Sequence, residues 1–236
     1  MVQVGGARLV PAVEHRPRGP VGLGGGIVGV SSAYFLAKEG HEVVLVERES
    51  EVGQDASAGN AGLIAPGHSY AWASPNAPKL LVRSLAGQAT SIRMRPKVIA
   101  DPKMVTWGLR FLRECTTDRA QRNTLVKHEL CRMSHGLIKQ LAADEGIDYA
   151  AENAGMFYLY PDEEDLQVGW EKTRLLRDNG EDLQLLDPAG VVEREPVFAG
   201  VKGSIAGAIF GADDASGDCE AFTKGLAKAC ARLGVE

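Results

Sequence analysis

The sequence contains few of the residues that build metal centres, disulfide frameworks or membrane spans. It has four cysteines among 236 residues, and no two of them have the C-x-x-C spacing of a metal or redox motif. Free buried thiols in a reducing compartment are the simplest interpretation. No apolar run approaches the roughly 20 residues that cross a bilayer, and no cluster of ligating side chains predicts a metal site. We therefore expect a cytoplasmic protein without a metal.

An excess of positive charge is also missing. The 26 lysines and arginines are outnumbered by 31 aspartates and glutamates, which leaves a formal net charge of −5. This balance, together with the lack of any reader motif, disfavours nucleic-acid binding. Residues 1–19 lack the long apolar stretch of a signal peptide, and we interpret them as a disordered or aberrant leader.

Glycine, by contrast, is abundant, with 28 residues, and one run of it is informative. Residues 24–29 fit the pattern G-x-G-x-x-G, with Gly24, Gly26 and Gly29 at its three fixed positions. The first glycine permits a tight turn from strand to helix, the second lets a pyrophosphate approach the backbone, and the third lets the helix lie close to the sheet. The pattern predicts a dinucleotide site, with a turn that holds no ligand as the alternative.

The elements after this turn complete a dinucleotide-binding unit. A helix is predicted over residues 27–39, and its N-terminus would favour a pyrophosphate through its free N–H groups and dipole. Residues 43–46 form a continuous apolar run, which is typical of a buried parallel strand. Glu47 follows this strand, 18 residues after Gly29, where a carboxylate can accept hydrogen bonds from both ribose hydroxyls.

Two neighbouring features qualify this interpretation. Glu47 disfavours NADP because its charge would repel a 2′-phosphate, although Arg48 beside it weakens that argument.

The strand that leads into the turn contains Pro20 and Gly22. Proline donates no ladder hydrogen bond and glycine adds nothing to the core, so we predict a first strand that is short or poorly formed.

The loop after Glu47 favours a flavin over a nicotinamide cofactor. Residues 57–67 are rich in small side chains, so their backbone can run close to a planar ligand. A nicotinamide-binding domain would instead be expected to continue with another helix and parallel strand.

Residues 24–67 resemble the D-amino-acid oxidase superfamily of flavoproteins. The resemblance lies in the G-x-G-I-x-G turn, the Glu-Arg pair after the second strand and the S-x-x-N-A-G loop. The residues that follow are similar to the bacterial D-amino-acid dehydrogenase small-subunit family. The similar positions are Pro66-Gly67, Trp72-Ala73, Pro75, residues 213–219 and Phe222, and the likeness covers most of residues 24–236.

This resemblance implies an α/β fold, in which a Rossmann-like FAD-binding domain carries an inserted α+β substrate domain and is truncated at the C-terminus. After the leader, residues 20–66 and 205–236 would form the two parts of the FAD-binding domain, and residues 67–204 the substrate domain. Members of the family are much longer. We therefore expect a fragment that alone binds FAD weakly and turns over no substrate.

The resemblance also implies a reaction and a set of cofactor contacts. The amino acid would lose a hydride from its α-carbon to the flavin N5, giving an imino acid that hydrolyses to a 2-oxo acid and ammonia, and the electrons would pass to a respiratory acceptor. No catalytic residue, and no arginine that holds the substrate carboxylate, is assigned here. The resemblance implies that Gly24, Gly26 and Gly29 hold the FAD pyrophosphate, that Glu47 holds the adenosine ribose, and that the loop from Ser57 to Leu63 passes near the pyrophosphate and the flavin. The other implied cofactor-binding residues are Ile27, Val28, Arg48, Ser57, Asn60, Ala61, Gly62 and Leu63.

The rest of the sequence predicts alternating helices and strands. Tyr158 and Tyr160 would share one face of a strand and could line a pocket, although packing is the commoner role, and His68 is a weaker candidate for substrate contact. The predicted helices are 107–115, 120–145, one from Asp162 to near Gly180, one from Asp187, and one capped by Asp218 and ending at Gly234; the predicted strands are 155–160, 183–186 and 201–210.

One basic segment suggests a membrane contact. Residues 79–113 carry eight basic side chains and the single acid Asp101, interleaved with apolar residues. Such a segment can dock on an anionic membrane surface, here the inner face of the plasma membrane. A solvated basic face is the alternative.

Three other functions stay open at this point. The chain could be another amine-oxidising flavoprotein, acting on glycine, sarcosine or proline-like amines, since the sequence does not define a side-chain pocket. It could be an NAD-dependent Rossmann dehydrogenase, or an inactive fragment.

Overall fold

The computed structural model describes residues 19–85 and 101–236 and divides the chain into two compact units. The first unit comprises the chain up to residue 64, together with residues 135–154 and 215–236, and the second comprises residues 65–134 and 155–214. The predicted leader, apart from Gly19, lies outside the described residues, as does part of the basic segment, residues 86–100. The domain bounds deduced from the sequence stay predictions.

The first unit begins with a short βαβ arrangement. Strand β1 (Val21–Leu23) pairs in parallel with β2 (Val44–Val46), and helix α1 (Ile27–Lys38) connects them. Strand β1 has only three residues, as expected of a stretch that follows a proline and contains a glycine. The other edge of β2 is paired as well, because Leu45 N donates to the carbonyl of Glu236 at 2.7 Å.

The last helix completes the core of the first unit. Helix α7 (Cys219–Arg232) is capped by Asp218, whose carboxylate accepts from the Ala221 N–H at 2.9 Å. A two-residue antiparallel pair, β3 (Leu63–Ile64) with β7 (Ala215–Ser216), lies in the same unit. The buried core joins α1 to α7 and to the segment that follows residue 135. Its most buried members include Val30, Ala33, Tyr34, Phe222, Leu226 and Ala229.

The second unit is built on a three-stranded antiparallel sheet. Its order is β4 (Met156–Tyr160), β6 (Gly207–Gly211), β5 (Leu183–Leu186), so the last strand in sequence lies in the centre. All five residues of β6 are buried. Asp162 caps helix α5 (Glu163–Arg177), and Asp187 caps helix α6 (Pro188–Arg194), so both helices lie where the sequence predicts them.

One predicted strand is wrong over its first half. Residues 201–210 were expected to form a strand, but Pro196–Ser204 form 3-10 turns and β6 begins only at Gly207. Pro196 occupies the first position of these turns, and the Glu195 carboxylate accepts from the Val197 N–H. Local capping therefore outweighs the apolar content that suggested a strand.

Three helices lie along the chain between the small-residue loop, residues 57–67, and strand β4. They are α2 (Ala77–Leu85), α3 (Pro102–Glu114) and α4 (Thr117–Glu145). Helix α3 starts five residues before the predicted start at 107, because Asp101 caps it and Pro102 is a favourable first residue. Within the described ranges, no helix is both long and apolar enough to span a bilayer.

Candidate cofactor site

The glycine turn between β1 and α1 has the geometry that a close backbone approach requires. Gly24 adopts a φ of +100°, and its N–H donates to the carbonyl of Val46 at 2.8 Å, which ties the turn to the end of β2. A Cβ at Gly29 would lie 1.8 Å from the carbonyl oxygen of Gly24. Only glycine at this position therefore lets the first turn of α1 fold against the strand end.

The N-terminus of α1 is open to an anion. Gly26 is the N-cap residue and supplies no side-chain cap, so first-turn N–H groups face outward without an intrahelical acceptor. One of them, from Ile27, donates to Ser57 Oγ at 3.0 Å. The dipole of the helix favours a negative group at this end. Gly26 adds no side chain of its own here, so the helix N-terminus fits a pyrophosphate, with the Ser57 hydroxyl beside it on the Ile27 N–H.

Glu47 lies at the carboxyl end of β2 and faces the turn. Its Oε1 accepts from the backbone N–H groups of Arg48 at 2.7 Å and Glu49 at 2.9 Å, and its Oε2 accepts from Gly25 N–H. Hydrogen bonds from Glu49 and Gly25 lower the pKa of the carboxyl group. The side chain is thus held as a carboxylate acceptor where a ribose would be expected.

Arg48 is occupied by acidic neighbours. Its guanidinium contacts Asp55 and lies 3.0 Å from Glu49, and the side chain is largely exposed. These partners offset the positive charge that would otherwise attract a 2′-phosphate. Arg48 therefore gives little support to NADP as the cofactor.

The small-residue loop is closed by its own hydrogen bonds. The Asn60 side-chain amide donates to Ser57 O at 2.6 Å, and its oxygen accepts from Gly62 N–H at 2.7 Å. Gly62 has a φ of +67°, and its carbonyl accepts from Gly217 N–H at 2.9 Å. Ala61 and Leu63 are exposed, Leu63 as the first residue of β3.

A cleft of about 570 Å³ opens at this site in the first unit. Of the residues deduced from the sequence, Gly24, Gly26, Glu47, Arg48 and Ser57 line it, whereas Ile27, Val28, Gly29, Asn60, Ala61, Gly62 and Leu63 do not. The other lining residues are Leu23, Val46, Glu49, Gln54, Asp55 and Ala56.

Sequence reasoning missed the turn at residues 49–56. Gly53 has a φ of +81°, and its N–H donates to the carbonyl of Gly25 at 2.9 Å, so this turn is fixed to the glycine run. Asp55 also has a positive φ, of 54°. The glycine six residues after Glu47 was the only signal in the sequence for this turn.

The comparisons with known proteins bear on the same residues. The profile of the FAD dependent oxidoreductase family matches residues 23–236, which is most of the chain. The chain belongs to this family. The cofactor deduced from the loop after Glu47, FAD, is therefore the family's cofactor, and the Rossmann-like α/β class is confirmed.

One curated relative and two solved structures are similar to most of this chain. D-amino acid dehydrogenase 2 of Mesorhizobium japonicum is 39% identical over 215 residues, which are 91% of this chain and 51% of the relative. Glycine oxidase of Bacillus cereus has a TM-score of 0.61 at 23% identity, over 93% of this chain and 45% of that one. L-alpha-glycerophosphate oxidase of Mycoplasma pneumoniae, with FAD bound, has a TM-score of 0.52 at 17% identity, over 92% and 43%.

This chain spans about half the length of the curated relatives it matches. The match to the FAD dependent oxidoreductase family includes the glycine turn at residues 24–29.

The second unit contains a buried polar cluster around Asp214. This side chain is 1% exposed, and it accepts from the Gly67 N–H at 2.8 Å and from the Tyr158 hydroxyl at 2.8 Å. The ring of His68 stacks on Tyr158, with centroids 5.0 Å apart. The structure therefore brings His68 and Tyr158 together, and both Tyr158 and Tyr160 pack against the hydrophobic core of the unit.

A second buried group lies in the same unit. His128 Nε2 is 3.4 Å from Glu181 Oε2, and His128 Nδ1 is 3.3 Å from Ser69 Oγ. Burial, with Asp214 and Asp213 nearby, raises the pKa of Glu181 to about 7. Glu181 was not identified from the sequence, and Asp214 entered only within the resemblance at residues 213–219, because each is distant in the chain from its partners. Among the described residues, no group of side chains could hold a metal ion.

Proposed function

We propose that this chain supplies the adenosine-diphosphate part of the FAD site in an enzyme that oxidises D-amino acids to 2-oxo acids and ammonia. The observation that carries the proposal is the turn of Gly24, Gly26 and Gly29 with Glu47 held at the end of β2. The D-amino acid dehydrogenases among the relatives support the substrate class. When bound, FAD supplies the acceptor, its N5, for the hydride that leaves the substrate α-carbon.

The residues of this chain have three tasks in the proposal. The N-terminus of α1 holds the pyrophosphate through backbone N–H groups, and Gly26 keeps that approach free of a side chain. Glu47 accepts hydrogen bonds from the adenosine ribose. Ser57 fixes the start of α1 through Ile27 N–H, and the loop that follows it passes beside the cofactor.

The electron acceptor and the location complete the proposal. A dehydrogenase of this kind passes electrons to a respiratory acceptor. We propose a cytoplasmic protein in peripheral contact with the inner face of the plasma membrane through residues 79–113, whose eight basic side chains complement anionic lipid.

Nucleotide binding by the purified chain tests the first part of the proposal. FAD should raise the unfolding temperature more than NAD at the same concentration, and ADP should give part of the effect. Equal protection by NAD and FAD would favour a nicotinamide enzyme, and no protection by any nucleotide would contradict the assignment of the turn.

The reaction requires a second test, because the chain spans about half the length of its relatives. The unmatched half of the Mesorhizobium relative, supplied as a separate polypeptide with FAD, is expected to allow dye reduction by D-alanine and not by L-alanine. Reduction by glycine or L-alanine alone would favour another amine-oxidising flavoprotein.

Glu47 gives the sharpest test of the cofactor residues. Hydrogen bonds that involve a charged group contribute about 1.5–3 kcal/mol, so Glu47→Gln is expected to weaken FAD binding by about tenfold or more. Titration of flavin fluorescence measures the change. Glu42→Gln, an exposed glutamate of the same unit, is the matched control and should leave the affinity unchanged. An unchanged affinity in Glu47→Gln would remove the ribose role.

A further inference from the structure

Helix α3 carries an apolar ridge that the described chain leaves uncovered. Val105, Leu109 and Leu112 recur at intervals of four and three residues, so they lie on one face of the helix. They are 50%, 66% and 40% exposed, and no residue of the helix is buried. A helix in a globular protein normally buries such a stripe against its core. The ridge therefore has the character of a docking surface.

The face next to this ridge is basic. With about 100° of rotation per residue, Arg113, Arg110 and Lys103 follow Leu109 around the helix. The only acidic residue within α3 is Glu114, and it is engaged by Arg119. The exposed part of the helix thus presents an apolar strip beside a strip of three basic side chains.

The remaining face of α3 turns toward its own unit. Met104, Gly108 and Phe111 are half-buried. Trp107 stacks on Phe111 with centroids 5.2 Å apart and is itself 56% exposed. The outward faces of α3 thus combine an apolar ridge with an adjacent strip of Lys and Arg, the pairing found in helices that lie in a lipid interface.

The charge distribution selects among the surfaces that could cover the ridge. A second copy of the chain in a two-fold interface would bring two copies of the same basic strip into one contact, which is electrostatically unfavourable. An anionic bilayer offers both an apolar layer for the ridge and phosphates that attract the basic side chains.

We propose that α3 is the element of this chain that docks on an anionic lipid surface, with Val105, Leu109 and Leu112 below the headgroups and Lys103, Arg110 and Arg113 at the phosphates. This inference rests on the proposed function for the choice of a membrane, and it assigns the contact to one helix within the basic segment.

A second ridge in the same unit provides a matched control. Val126, Leu130 and Met133 on α4 have the same four-and-three spacing and are 56%, 54% and 57% exposed. This ridge is bordered by Arg122 and Glu129, whose charges oppose each other. It tests whether exposed apolar area alone is sufficient for binding.

Vesicle sedimentation of the full chain, without flavin or substrate, tests the proposal. We expect binding to phosphatidylcholine vesicles that contain phosphatidylglycerol, little binding to phosphatidylcholine alone, and a decrease at high salt. The triple variant Val105→Ser, Leu109→Ser, Leu112→Ser should reduce binding by about tenfold or more. The equivalent α4 variant, Val126→Ser, Leu130→Ser, Met133→Ser, should bind like the wild type.

Several outcomes would overturn the proposal. These are binding that ignores lipid charge, equal loss in both triple variants, or no vesicle binding by the wild-type chain. A dimer in solution that only the α3 variant dissociates would assign the ridge to self-association instead. Arg110→Gln with Arg113→Gln leaves the apolar ridge intact, should also reduce binding about tenfold or more, and serves if the α3 triple variant does not fold. Failure of vesicle binding leaves the nucleotide-binding test unaffected, so the two proposals can fail separately.

Discussion

Replacement of Gly29 by alanine is expected to destabilise the first unit by about 3 kcal/mol and to abolish FAD binding. The added Cβ would lie 1.8 Å from the Gly24 carbonyl oxygen and 3.0 Å from its carbon. Both are backbone atoms, so no side chain can move aside. The first turn of α1 must shift away from the strand end, which also displaces the N–H groups proposed to hold the pyrophosphate.

A second glycine in the same unit provides the control for this substitution. Gly136 lies in α4, where an alanine Cβ would meet nothing within 4 Å beyond the backbone of its own helix. Because alanine is the better helix former, Gly136→Ala should stabilise the chain by up to about 1 kcal/mol. Chemical denaturation measures both changes, and flavin fluorescence measures the affinity for FAD. Equal effects of the two substitutions would show that the contact between Gly29 and Gly24 is not what requires glycine.

The parts of the fold that were predictable from the sequence depend on local interactions. Asp162, Asp187 and Asp218 each precede a helix and accept a backbone N–H from its first turn, and each helix was expected at that place. Capping connects residues only two or three positions apart, so one stretch of sequence contains the whole interaction. The glycine turn is predictable for the same reason.

The parts that were not predictable depend on contacts between distant residues. Gly67 N–H finds its acceptor on Asp214, 147 positions later, and Tyr158 donates to the same carboxylate. No periodicity in the sequence marks such a pair. The start of the central strand β6 is set in a similar way by its pairing with β4 and β5, whereas the turns before it follow from local capping at Glu195.

The cleft at the glycine turn contains both predictable and unpredictable residues. Gly24, Gly26 and Glu47 belong to a pattern that can be identified in the sequence, whereas the turn carrying Gln54 and Asp55 reaches the cleft only because Gly53 N–H donates to Gly25. The sequence pattern therefore identified the glycine turn proposed to contact the pyrophosphate. The residues of the turn at 49–56 line the cleft because of a contact that the sequence pattern does not show.

Glu181→Gln is expected to stabilise the chain above pH 7 and to have little effect below pH 5. The carboxyl group is 5% exposed, and its Oε1 has no hydrogen-bond partner among the described residues. Burial, together with the nearby Asp214, Asp213 and Asp182, raises its pKa to about 7, and Arg132 opposes them. The folded state therefore favours the protonated form.

The direction of the pH effect follows from the raised pKa. A carboxyl group whose pKa rises from about 4.5 to about 7 on folding contributes its stabilisation below the unfolded value, and that contribution is lost as the pH rises through 7. The wild-type chain should lose about 3 kcal/mol of unfolding free energy from this group, at about 1.4 kcal/mol per pH unit. Glutamine cannot titrate, so the variant should escape that loss.

Urea denaturation between pH 5 and pH 9, of the variant and the wild type side by side, measures the difference. Glu171→Gln is the control, because that side chain is 70% exposed and should show no pH-dependent difference. His128 lies 3.4 Å from Glu181, so an ion pair between the two side chains is the alternative to a protonated Glu181. If Glu181 were ionised and paired with a protonated imidazole, Glu181→Gln would destabilise the chain at neutral pH, since it would leave a buried cation without its partner.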